Sequence, residues 1–120
     1  MTSPLSLSID AMGGDHAPEI VVEGAARFLS GRRRVGRLLL HGDEARIAPL
    51  VAQQPELSGH CEIRHAETEV DMSAKPSEAV RRSRGSSMWN AVHAVKDGDA
   101  HVAVSAGNTG ALMAISKVIL

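Results

Sequence analysis

Apolar and polar residues change period along this chain in a regular order. From Leu5 to Asp10 they alternate, which predicts a short strand. Met12-Gly13-Gly14-Asp15 follows as a turn. Pro18 suits the first position of a helix and Glu19 its first turn, and Val21, Ala25, Phe28 and Leu29 form the apolar face. Gly31 ends that helix, and Arg32, Arg33 and Arg34 make a charged connector. Val35 to Leu40 is a second strand. Gly42-Asp43-Glu44 opens a second helix with Ile47, Leu50 and Val51 on its apolar face, and Pro49 inside it predicts a kink or two short pieces. Cys61 to His65 is a third, weaker strand, Glu67 to Pro76 a loop, and Ser77 to Arg84 a short helix. Ser86 or Ser87 caps the next helix, where Met88, Ala91, Val92 and Val95 keep helical spacing up to Gly98. Ala100 to Ser105 is a fourth strand, and Ala106-Gly107-Asn108-Thr109-Gly110 turns into a last helix. Alternation of this kind predicts an α/β domain built on a parallel, or mostly parallel, sheet with helices on both faces.

Composition narrows the function classes. With one Trp, one Phe and no Tyr among 120 residues, the chain has no aromatic platform on which single-stranded nucleic acid would stack. The formal net charge of -1 gives no global attraction to DNA or an anionic membrane, and no second basic cluster lies close to Arg32–Arg34. We therefore expect no nucleic-acid partner. Cys61 is the sole cysteine, so no intrachain disulfide forms and a reducing cytoplasm fits. Asp10 interrupts any signal-peptide core, which argues against secretion. The six histidines have no zinc-ligand spacing on a helix, and Cys61 has no cysteine partner, so no metal site is expected.

Ligands of open parallel sheets bind beyond the carboxyl ends of the strands, and two segments there are rich in chemistry. The first is Ile9-Asp10-Ala11-Met12-Gly13-Gly14-Asp15-His16-Ala17-Pro18. Gly13 and Gly14 let the backbone approach a ligand, while Asp10, Asp15 and His16 offer acid, base and hydrogen-bonding groups. An ordinary βα turn would look the same. The second is Val104-Ser105-Ala106-Gly107-Asn108-Thr109-Gly110, where free N–H groups at a helix start make an anion site and Ser105, Asn108 and Thr109 can add hydrogen bonds. The alternative is a cap in which Asn108 or Thr109 serves only its own helix. The glycine spacing fits neither a Walker loop nor a dinucleotide fingerprint. Between these segments, Lys75, Arg81, Arg82 and Arg84 would either grip an anion or form a solvated face.

Taken together, three stretches resemble the phosphate acyltransferase family of phospholipid synthesis. They are Ile9 to Pro18, Lys75-Pro76 through Arg81 to Ser86-Ser87-Met88, and Val104 to Ala114. The chain departs from that pattern at Ser73 and Ala74, where an acidic residue usually follows the methionine, at Ser83, where a basic residue is common, and at Gly85 in place of an aspartate. The resemblance implies a Rossmann-like fold similar to phosphotransacetylases and isocitrate dehydrogenases. It also implies transfer of a long-chain acyl group from acyl carrier protein to inorganic phosphate, without a cofactor, by a homodimer peripherally associated with the membrane. On this reading Asp10, His16 and Asn108 are catalytic. Gly13, Gly14, Asp15, Lys75, Arg81, Ser105, Gly107, Thr109 and Gly110 bind phosphate or substrate.

The last apolar pattern runs to Leu120 without a closing glycine or polar tail, so residues 1–120 are expected to be the N-terminal part of a longer enzyme domain. Two alternatives follow: an acetyl-CoA-dependent phosphate acetyltransferase, or an inactive folding or dimerisation segment. The second predicts an exposed sheet edge and exposed apolar helix faces.

Overall fold

The computed structural model describes residues 5–31 and 35–120; the expected arginine connector, Arg32 to Arg34, lies outside them. Four strands, β1 (Leu5–Asp10), β2 (Val35–Gly42), β3 (Cys61–His65) and β4 (Val102–Val104), form one sheet in the order β3-β2-β1-β4. Every pairing is parallel, which gives the expected α/β architecture. The helices are α1 (Glu19–Ser30), α2 (Glu44–Ala52), α3 (Pro76–Arg82), α4 (Ser87–Lys96) and α5 (Thr109–Ile119), with a 3₁₀ turn at Pro55–Leu57.

Alternation along β2 explains the layering. Leu38 and Leu40 point to one face and are buried with Val22, Ala25 and Ala26 of α1, Ile47 of α2 and Leu57. Leu39 points the other way, onto Ala94 and Ala100. Beside it, Met88 and Val92 of α4 pack with Ala111, Ile115 and Ile119 of α5 and Ala79 of α3, and Ala103 of β4 joins this cluster. Each buried leucine removes enough apolar surface to contribute about 2 kcal/mol, which fixes the register that carries the polar residues described below.

Several elements differ from their sequence readings. Pro18 is the N-cap of α1 rather than its first residue, after a cis Ala17–Pro18 bond. The buried stripe of α1 is Val22, Ala25 and Ala26, while Phe28 is exposed. The helix phase set by Val22 turns Phe28 to the rim. Pro49 does not divide α2. It is exposed and costs only the bond to the carbonyl of Ala45, an exposed position where water can serve instead. β2 reaches Gly42, so His41 belongs to the strand and is buried. β4 is shorter than Ala100–Ser105 because the N–H of Ala100 turns back to Ala94 O, and Ser105 leaves the ladder. α3 spans Pro76–Arg82 instead of Ser77–Arg84.

β4 pairs only with β1 among the described residues. Val102 and Val104 on it, and Met113 and Val118 on α5, are exposed, as the expected open edge and apolar helix face require. No helix of the described residues is long and apolar enough to cross a membrane.

Candidate functional site

The chain steps from β1 to β2 to β3 in one direction, then returns to place β4 on the opposite side of β1. The order reverses between β1 and β4, the place where open parallel sheets bind their ligands. The two chemistry-rich segments leave these two strands. The topology therefore brings together residues that lie far apart in sequence.

Asp10 ends β1 with its side chain buried. Its Oδ1 accepts from the N–H of Met12 at 3.1 Å, and its Oδ2 accepts from Ser105 Oγ at 2.9 Å. Ser105 Oγ in turn accepts from the N–H of Gly107 at 3.1 Å. One relay thus ties the β1 turn to the β4 turn. Gly13 fits between them only because it lacks a side chain. A Cβ there would lie 2.8 Å from both Asp10 Oδ2 and Ser105 Oγ, and 2.9 Å from the N–H nitrogen of Gly107. Gly14 has φ +107°, a conformation open to glycine. The structure so assembles Asp10, Gly13, Gly14, Ser105 and Gly107.

Asn108 is the N-cap of α5: its Oδ1 accepts from the N–H of Ala111 at 3.1 Å. The N–H of Leu112 bonds to the Asn108 carbonyl. Among the described residues, the N–H groups of Thr109 and Gly110 donate to no protein acceptor, and they sit at the positive end of an 11-residue helix. The cap and the anion-site readings of this turn are therefore compatible. Gly110 also admits the start of α3, since a Cβ on it would be 2.9 Å from Pro76 Cγ.

Other expected residues lie outside the Asp10–Ser105 relay. Asp15 and His16 are exposed in the β1 turn, without a side-chain hydrogen bond among the described residues. Lys75 caps α3 beside Gly110's neighbour Pro76, and its side chain is exposed. Arg81 lies in the last turn of α3, exposed, and is not drawn into the Asp10–Ser105 junction. Arg84 stacks over the ring of Trp89, 5.5 Å from its centroid, which identifies it with packing.

The sequence reading of residues 67–76 as a loop missed the turn that Asp71 builds within it. Asp71 Oδ1 accepts from both the N–H and Oγ of Ser73 at 2.8 Å, and these bonds hold its carboxyl below the usual carboxylate range. The Asp-x-Ser pattern was the available signal for this turn. Between the loop and α3 lies a cavity of ≈ 350 Å³ lined by Glu69, Asp71, Glu78 and Arg82 among others. Three carboxyl groups against one guanidinium make it unsuited to phosphate.

The remaining titratable groups have structural explanations. His41 Nε2 lies 2.9 Å from Ser8 Oγ, and burial, reinforced by Arg64, lowers its pKa to about 4. Burial pushes the Cys61 thiol up, away from the thiolate a nucleophile needs. Arg64 bonds Glu62 at 2.6 Å and Asp99 at 3.0 Å. His101 Nδ1 accepts from the N–H of Ser6. The described residues hold no group of three or more His, Cys, Asp or Glu placed to bind a metal ion.

The phosphate acyltransferase of Maricaulis maris is 59% identical over 121 residues, covering 100% of this chain and 34% of the relative. That of Phenylobacterium zucineum is 58% identical over 120 residues, with the same coverage. That of Caulobacter vibrioides is 53% identical, covering 33% of the relative. The chain thus spans about a third of the length of the curated relatives it matches. The family model described as "Fatty acid synthesis protein" matches residues 5–120, the turns after β1 and β4 included, and the chain belongs to that family.

Proposed function

We propose that this chain supplies the phosphate-binding part of an acyltransferase that moves a long-chain acyl group from acyl carrier protein to inorganic phosphate. The observation that carries the reading is the meeting of the β1 and β4 turns at the strand-order reversal, beside the two unbonded N–H groups of Thr109 and Gly110. Such groups at a helix start favour a dianion. The name phosphate acyltransferase borne by the relatives supports phosphate as acceptor.

In the proposed reaction, a phosphate oxygen attacks the thioester carbonyl carbon. The new C–O bond forms, the C–S bond breaks, and the carrier's sulfur leaves as thiolate to take up a proton. Fixing the phosphate at the start of α5 supplies the catalytic advantage of orientation. Asp10 is buried and spent on the Met12 and Ser105 bonds, so its part is to hold the junction. Lys75 offsets negative charge from the solvent side. His16, exposed in the adjoining turn, relays a proton or bonds the thioester oxygen. The enzyme acts as a cytoplasmic homodimer at the membrane periphery.

The test is an assay of the full-length protein with palmitoyl carrier protein and phosphate, trapping acyl-phosphate with hydroxylamine. We expect phosphate-dependent product, little from acetyl-CoA, and a His16→Ala variant that loses more in kcat than it gains in phosphate KM. Product from acetyl-CoA alone would move the reading to a phosphate acetyltransferase. No acyl-phosphate from either donor would reject it.

A further inference from the structure

Asn108 does more than cap a helix. A carboxamide offers one acceptor oxygen and two N–H donors. Here Oδ1 accepts from the N–H of Ala111, while Nδ2 donates to Ala74 O at 2.8 Å and to Asp71 O at 3.1 Å. The opposite amide orientation would set the oxygen against two carbonyls and the NH₂ against a donor, so the network permits one arrangement. A cap alone needs only the oxygen, which Ser or Asp would supply equally well. The two donations need an amide.

Those donations grip a turn that is already closed on itself. The N–H of Ala74 bonds to Asp71 O, and Asp71 Oδ1 holds Ser73. Lys75 follows at once, its carbonyl accepting from the N–H of Ala79 as α3 begins. On the other flank of Asn108, Gly110 lies against Pro76 with no room for a side chain. Two independent contacts therefore hold the starts of α3 and α5 together.

We infer that Asn108 is a positioning residue whose carboxamide fixes the 71–74 turn, and so the backbone from which Lys75 reaches, beside the open N–H groups of α5. This rests on the phosphate reading above. Lys75 and the N–H groups of Thr109 and Gly110 then address one anion, although their segments lie more than thirty residues apart, as the Asn108–Ala74 bond spans (|i−j| = 34).

The test compares Asn108→Asp and Asn108→Ser in the full-length protein. Both keep a cap oxygen, and neither can donate to the two carbonyls in the same way. With two hydrogen bonds lost, phosphate KM should rise about tenfold. The acyl-donor KM should stay within about twofold, since only the anion is misplaced. Amide hydrogen exchange at Ser73 to Lys75 should quicken while that of α5 does not. Should Asn108→Asp fail to fold, Asn108→Ser decides. Unchanged phosphate KM and unchanged exchange in a folded Asn108→Ser variant would overturn the inference. If the wild type shows no phosphate-dependent turnover, the phosphate reading fails by itself. Exchange at residues 73–75 then still tests the clamp: quickening keeps it, and no change removes it.

Discussion

The carboxyl ends of β2 and of the β1–β4 pair are built from similar residues and do different things. Each has a titratable group hydrogen-bonded to a serine: His41 with Ser8 of β1 at one, Asp10 with Ser105 at the other. Each has a glycine with no room for a side chain, Gly42 and Gly13. Each leads to a helix capped by Asp or Asn, Asp43 for α2 and Asn108 for α5. At β2 these features pack inward, with Gly42 against the movable side chains of Met12 and Ile47 and His41 buried against Ser8. At β1–β4 they join two turns across the reversal of strand order. The difference lies in which strand is the neighbour, and only the second arrangement stands at the reversal of strand order.

The glycines give the sharpest contrast. In Gly13→Ala the new methyl meets the N–H nitrogen of Gly107 at 2.9 Å, and backbone cannot swing aside. We expect destabilisation at or above the usual overpacking range, more than about 3 kcal/mol, and loss of measurable phosphate binding. In Gly42→Ala the close atoms are Cγ and Sδ of Met12 and Cδ1 of Ile47, at 2.6 to 2.8 Å, all movable side-chain atoms. About 1 kcal/mol of stability should go, with phosphate affinity kept. Urea unfolding and phosphate titration of both variants measure this. Equal loss of phosphate binding would erase the distinction between the two ends.

His41 separates the regions by pH. Its folded pKa is about 4 against an ordinary 6.5. Above pH 6.5 both folded and unfolded chains carry it neutral, and its contribution is complete. As pH falls from 6.5 towards 4, the unfolded chain takes up a proton that the folded one refuses. Stability therefore declines across that window, by roughly 3 kcal/mol from this group. His41→Gln should flatten the decline between pH 6.5 and 4, read as urea midpoints at half-unit intervals. A wild-type curve parallel to that of the variant would show that His41 titrates normally. Acyl transfer should not track this titration, because His41 belongs to the β2 end.

The same contrast explains what could be read from the sequence. Strands and helices were legible because their signals are local: alternation in Leu5–Asp10, helical spacing from Met88 to Val95, and stop signals at Gly31 and Gly98. The turns were legible as site-like from their Gly, Asp and Asn content. Their pairing was not, since the Ser105–Asp10 bond links positions with |i−j| = 95 and depends on β4 lying beside β1. Nor does composition say that Gly13 is fixed by Gly107 while Gly42 is fixed by movable side chains. Arg81 shows the converse. Its charge and spacing drew attention in the sequence, but α3 carries it to an exposed last turn, away from the junction. The Asp71–Ser73 turn carried a local signal, but its tie to Asn108 runs through the Asp71 and Ala74 carbonyls, which no residue type announces.

The two serines bring the smallest difference in stability and the cleanest division of role. Ser105→Ala leaves Asp10 Oδ2 and the N–H of Gly107 without a partner, next to a buried carboxyl group. Ser8→Ala leaves the buried Nε2 of His41 without one. Each should cost about 1–3 kcal/mol, the penalty for a buried polar group stripped of its hydrogen bond. Thermal unfolding alone would thus scarcely tell them apart. Phosphate KM should, because the Ser105 relay sets the approach of Gly107 to Gly13 and hence the path into α5, whereas the Ser8 hydroxyl, inside β1, bonds the buried His41 ring. We expect phosphate KM to rise several-fold in Ser105→Ala and to hold in Ser8→Ala, measured in the full-length protein at matched temperature below both melting points. A rise of equal size in both would mean that general loosening of the sheet, and not the junction between the turns, governs how the anion is held.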